Sequence, residues 1–188
     1  MTQSQWVSRC AAALLLLPLP LHLIAAIVRD SGPAWRAEFR DITEPLGAGV
    51  VVAERQLSLY WDKQDPSAPG GRDARSSAAR FDACMWLRAP REIPFMLVAN
   101  GIASFELDGE QKLSVDAEKE RRASGAVLRL EPGVHHLRVD FSARSWPSIA
   151  LNASLDGHAP APLGSGELAP GVELSYPLPG DRPCEPPR

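Results

Sequence analysis

The chain lacks most of the features that announce chemistry. No Gly-rich phosphate loop occurs in it, and no two carboxylates stand out as a pair for glycoside hydrolysis. His135 and His136 are adjacent, so in a strand they point to opposite faces and cannot chelate one metal. His158 lies in a Gly/Pro/Ala loop with no acidic or cysteine neighbour at ligand spacing. A net charge of −3 offers no basic surface to nucleic acid or anionic lipid. Three cysteines in 188 residues are too few for a disulfide scaffold, and a chain of this length buries a core without staples. No long amphipathic helical period appears. The expectation is a protein with no catalytic residues, no cofactor, no metal and no nucleic-acid partner.

What is present begins with residues 10–28, an uncharged apolar run bracketed by Arg9 and Arg29. As a helix, nineteen residues at about 1.5 Å each reach roughly 28 Å, the thickness of a hydrocarbon core. Pro18 and Pro20 kink such a helix without forbidding it. The run reads either as a retained signal anchor or as a cleaved secretory signal. It is longer than a usual signal core, and no small-x-small cleavage pattern follows Ala25-Ala26-Ile27, so retention is expected. Both readings send residues 31–188 out of the cytoplasm, to the periplasm or the cell surface. In that compartment a Cys84–Cys184 disulfide is compatible with the sequence, as is a buried free Cys84.

Eighteen prolines and fourteen glycines point to many turns and short elements. Between them, apolar and polar residues alternate with the period of half-buried strands. Such runs occupy residues 34–40, 49–61, 80–89, 93–99, 103–107, 113–115, 126–130, 137–141 and 149–155. Residues 62–79 read as one long surface loop, and Asn100-Gly101 and Asp108-Gly109 as tight turns of a meander. The charged stretch 116–124 reads as a short helical turn or a loop. Trp35 and Trp86, both in strands, read as core. His136, Arg138 and Asp140 share one strand face. The fold class expected is all-β, an antiparallel β-sandwich of jelly-roll type, preceded by one N-terminal transmembrane helix. The organisation is 1–30 anchor or signal segment, 31–176 sandwich, and 177–188 a Pro-rich, unpacked tail.

Residues 35–172 resemble the anthrax protective-antigen-type domain, a β-sandwich also found in yeast flocculin adhesins and appended to bacterial glycosidases and glycosyltransferases. The resemblance is carried by Trp35-Arg36-Ala37-Glu38-Phe39, by Trp86-Leu87-Arg88-Ala89-Pro90, by Asn100-Gly101 through Phe105-Glu106-Leu107-Asp108-Gly109-Glu110, and by Leu128 through Glu131-Pro132-Gly133 to Phe141. These stand in the family's order over about 135 residues. The resemblance implies a sugar-binding sandwich. The flocculin-like members hold calcium with two consecutive aspartates, where this chain has Ala99-Asn100-Gly101-Ile102. That departure does not carry calcium-dependent binding over.

The candidate ligand-binding residues are Trp146, in Ser145-Trp146-Pro147-Ser148 between two strands, with Asn100 and Asp108 at the turns. The expected function is a non-catalytic, membrane-tethered binding module for a glycan or an envelope protein. The alternative is a structural or accessory subunit of a membrane assembly.

Overall fold

The computed structural model describes residues 34–41, 49–60, 77–144, 147–165, 168–177 and 184. The hydrophobic run 10–28, Trp61 and Trp146 lie outside the described residues. No helix occurs among the described residues, which form ten antiparallel strands. These are β1 (Trp35–Asp41), β2 (Val50–Glu54), β3 (Ser58–Tyr60), β4 (Ser77–Leu87), β5 (Arg91–Leu107), β6 (Glu110–Leu130), β7 (Gly133–Ala143), β8 (Ser148–Ala153), β9 (Ala161–Pro162) and β10 (Val172–Ser175).

The strand order is β2-β1-β4-β7-β5-β8-β3, with β10 on β4, β6 on β5 and β9 on β8. One strand joins the two halves. The C-terminal part of β5, Ile102 to Leu107, pairs with β7, while its N-terminal part, Phe95 to Asn100, pairs with β8. The two sheets expected from the sequence are thus halves of one hydrogen-bonded sheet curled around a common core.

Gly101 marks the change of neighbour. Its φ is +141°, and a Cβ there would come within 2.6 Å of the Ser142 carbonyl oxygen and 2.8 Å of Ala143 Cβ. Only glycine lets β5 press this closely on β7. Asn100-Gly101 is therefore a bend inside a 17-residue strand, not the tight turn expected. Asp108-Gly109 is a hairpin turn as expected, with φ of 54° and 81°, the signs a two-residue turn of this kind requires.

The stretch 116–124 also departs from expectation. It belongs to β6, and it absorbs the curl. Ala99 faces Arg122 and Gly101 faces Ala117, so two steps along β5 answer five along β6. The extra residues form a bulge, whose charges suit an edge strand that must not pair further.

Alternation then fixes the core. Trp35, Ala37 and Phe39 of β1, Phe81, Ala83, Met85 and Leu87 of β4, and Leu137, Val139 and Phe141 of β7 all point inward. They meet Ile93, Phe95, Leu97 and Phe105 of β5 with Ile149 and Leu151 of β8. Phe95 and Phe105 pack at 5.2 Å between centroids, and Phe39 meets Phe81 edge-on at 5.8 Å. Trp35 is core, as read. Trp86 is not: it shares the outward parity of Asp82 and Cys84, is half-buried, and carries the Arg88 guanidinium 4.9 Å over its ring.

Cys84 also faces outward, and it forms a disulfide with Cys184 across 100 residues. Ser175 is the register partner of Cys84 on β10, so the chain leaves Cys84 at Ser175 and returns to it at Cys184. Pro177 is buried. The unpacked tail expected after Tyr176 is thus covalently anchored, because its cysteine meets the one strand cysteine with a matching outward parity. A closed loop of this length restricts the unfolded chain strongly. Replacing both cysteines by serine should cost about 3–5 kcal/mol, seen as a lower urea midpoint, and reducing agent should have no further effect on that variant.

Candidate functional site: a clamped pocket and an ion-paired sheet face

Of the sequence candidates, the two that are described, Asn100 and Asp108, are not brought together. Asp108 sits in the β5–β6 turn, and its carboxylate is fully engaged. Oδ1 accepts from the His136 backbone N–H at 2.8 Å, Oδ2 lies 2.8 Å from His135 Nδ1, and the Asp108 N–H donates to the His136 carbonyl at 2.9 Å. This arrangement staples the hairpin turn to β7. Asn100 is half-buried in the middle of β5, opposite Ser148, and eight residues from Asp108, or roughly 26 Å of strand. Trp146 lies outside the described residues.

The face shared by His136, Arg138 and Asp140 is an ion-paired lattice. The register sets Asp82 opposite Arg138, Cys84 opposite His136 and Arg80 opposite Asp140. Asp82, at 5% exposure, is the buried hub. It accepts from Arg138 Nε at 2.9 Å and lies 3.1 Å from His136 Nε2, with Arg36 Nη1 at 4.0 Å. Arg80 Nε donates to Asp140 at 2.8 Å, and Glu38 accepts from Arg36 and Arg40. Burial pushes the Asp82 carboxyl up, but the hydrogen bonds from His136 and Arg138 outweigh it and hold the group below its usual range. Glu38 is held low chiefly by the hydrogen bond from Arg40, against some desolvation. The two adjacent histidines do point to opposite faces, His135 to Asp108 and His136 to Asp82. Arg36, Glu38, Arg40, Arg80, Asp82, His136, Arg138 and Asp140 each have a protein partner, so the lattice ties β1, β4 and β7 together.

A concave site lies elsewhere, where the loops after β8 and β9 meet the segment before β10. Residues from 153–165 and 168–170 line a cleft, open on one side, of about 230 Å³. Its apolar wall is Ala153, Leu155, Leu163 and Leu168, and Asp156, His158 and Ser165 give it polar groups. Hydrogen bonds and one close backbone contact hold its walls. The Arg91 guanidinium donates to both Asp156 Oδ1 and the Pro170 carbonyl oxygen, bridging two lips of the cavity. The Trp35 indole N–H donates to the Leu163 carbonyl at 3.0 Å, fastening the wall to the core, and the Leu57 N–H shares that acceptor at 3.2 Å. Gly164 has φ +99°, and a Cβ there would overlap the Arg55 carbonyl oxygen. Ser154 Oγ donates to the His158 carbonyl at 2.6 Å, and Ser165 Oγ to the Pro162 carbonyl at 2.6 Å. A cavity held by its own hydrogen bonds is preformed, which is what a small-ligand site requires.

From the sequence this region is a Gly/Pro/Ala loop with one histidine. The visible signal is Leu163 and Leu168, larger apolar residues among small Gly, Ala and Pro. The residues that fasten the region, Trp35 to Leu163 and Arg91 to Asp156 and Pro170, lie 65 or more positions away, and sequence spacing does not pair them. Among the described residues, no group of three or more His, Cys, Asp or Glu could hold a metal.

No protein-family model matches the sequence, and no curated protein does. Solved structures do match in fold. An anti-sigma factor domain-containing protein is 16% identical with TM-score 0.57 over 71% of this chain, which spans only 46% of that protein's length. A PA14 sugar-binding domain from an RTX adhesin is 9% identical with TM-score 0.56, over 70% of this chain and 95% of that domain. The Epithelial Adhesin 9 A domain from Candida glabrata, solved with Galb1-4GlcNAc, is 8% identical with TM-score 0.51, over 78% of this chain and 96% of that one. At such identities the likeness is one of fold.

The direction of the Asp82 shift has a testable consequence. Its ordinary value is 3.8, and the folded value is lower. Its stabilisation is therefore present above the unfolded pKa and is lost as pH falls through the folded one. Urea midpoints between about pH 5 and about pH 2 should fall less steeply for Asp82→Asn than for the wild type. At neutral pH the variant should be about 2 kcal/mol less stable, through its charge-assisted hydrogen bonds.

Proposed function

We propose that this chain is a non-catalytic binding module, exported and tethered through residues 10–28, that recognises a glycan through the loops at one end of its sheet. The observation that carries this reading is the whole-domain correspondence in fold. The chain spans 95% of a domain named as sugar-binding and 96% of an adhesin domain solved with a disaccharide. The protective-antigen-type resemblance of residues 35–172 points the same way. The preformed pocket supplies a place for a small polar ligand, and the ion-paired face supplies none. A disulfide is at home in an oxidising compartment, which agrees with export.

Recognition on this reading does not use the calcium of the flocculin-like members. Calcium requires several charged or carbonyl oxygens at short range. The corresponding position is Asn100-Gly101, one neutral amide within a strand where β5 is pressed against β7. A structural or accessory role in a membrane assembly is the alternative, favoured by the occurrence of this fold within the longer anti-sigma factor domain-containing protein.

The test is glycan-array binding by the full chain. Binding to a defined set of glycans is expected, unchanged when a calcium chelator is added. Binding abolished by the chelator would contradict the calcium-free reading. Binding to no glycan, with stable membrane proteins recovered after crosslinking, would favour the accessory role.

A further inference from the structure

We infer that the pocket formed by residues 153–165 and 168–170 takes one neutral sugar ring bearing an N-acetyl group, an inference that rests on the glycan-binding reading above. The cavity volume of about 230 Å³ is below the usual range for drug-sized ligands, about 300–1,000 Å³, and suits a single ring with a short substituent.

Charge decides against an acidic sugar. Arg91 is the cation bound to the pocket's rim, and its guanidinium is committed to Asp156 and the Pro170 carbonyl. A ligand carboxylate would meet the Asp156 carboxylate while the Arg91 guanidinium beside it is already held, at a cost of like-charge repulsion. Hydroxyl groups suit the rim better. Asp156 is exposed and has a second oxygen beside the one held by Arg91, and His158 is exposed at the same rim.

The opposite wall selects the substituent. Ala153, Leu155, Leu163 and Leu168 are apolar, with Leu163 buried to 2% exposure. A ring edge carrying hydroxyls alone would be desolvated against them without partners, which is costly. An acetamido group instead brings a methyl to the leucines, while its amide oxygen and N–H remain at the polar rim. The Arg91 clamp and the Trp35–Leu163 hydrogen bond fix both walls before the ligand arrives, so little ordering cost falls on binding.

The experiment compares N-acetylhexosamines with the matching hexoses, using full chain purified in a detergent without sugar headgroups. Affinity is read by titration, and contact by saturation transfer to the ligand protons. The N-acetylated sugars should bind at least about tenfold more tightly than the hexoses, with the acetyl methyl receiving the strongest transfer. Ala161→Trp, at an exposed position of the lining, should fill the cavity and weaken binding by at least tenfold with an unchanged unfolding midpoint. His158→Ala, also exposed, should weaken it several-fold.

Equal affinity for hexoses and N-acetylhexosamines overturns the ligand class. Undiminished glycan binding by Ala161→Trp overturns the location and leaves the glycan-binding reading standing. Failure of the wild-type chain to bind any glycan overturns that reading and this inference with it.

Discussion

Strand β5 has neighbours on both edges along most of its length, with β6 on one side and β8 then β7 on the other. Among the described residues, the two halves of the sheet share no other strand in this way. The inward residues Ile93, Phe95, Leu97, Ala103, Phe105 and Leu107 keep one parity through the bend. This continuity is what forces the glycine at 101. A side chain there would collide with Ser142 and Ala143, and β5 would have to leave either β7 or β8. The bulge in β6 is the complementary adjustment, since the outer strand of a bent hairpin must be longer than the inner one.

The distribution of polar chemistry follows from that curl. Where the sheet is broad, on β1, β4 and β7, outward residues stand in register across three strands and neutralise one another around Asp82. The disulfide then ties the end of the described chain to the same face. Where the sheet curls, β8 and β9 are short, and the loops that follow them fold back over the end of the core. There the backbone leaves a concavity, and long-range contacts from Trp35 and Arg91 hold its loops in place. The binding site proposed here is a product of the curvature and not of any local motif.

Strand chemistry was largely legible in the sequence. Alternation located β1 to β8 at least in part, though not β9 or β10, and set the inward parity of residues such as Phe81, Met85, Val139 and Phe141, because a period of two is a local property. The Asp108-Gly109 turn was legible because two positive φ values demand those residue types. Asn100-Gly101 misled for a physical reason: the same dipeptide serves a tight turn or a bend within a strand, and the packing of β7 against it decides. Trp86 misled because size suggested burial while parity already placed it outward. For residues 116–124, charge suggested a loop, yet an exposed edge strand tolerates charge equally well.

The candidate site was far less legible. Asp108 and Asn100 read as turn residues, but the carboxylate of Asp108 is spent on stapling its hairpin, and Asn100 sits within a strand. The pocket depends on pairs separated by 128 positions for Trp35 with Leu163 and by 65 for Arg91 with Asp156, information no local pattern contains. What ties pocket to fold is the shared strand. Native-state amide hydrogen exchange measures that tie directly. The amides of Leu97 and Phe105, in the two halves of β5, should exchange only through global unfolding, at the same free energy as Leu151 and Val139 on their flanking strands. Exchange of the β8 side through a separate, lower-energy opening, with the β7 side still protected, would contradict the account.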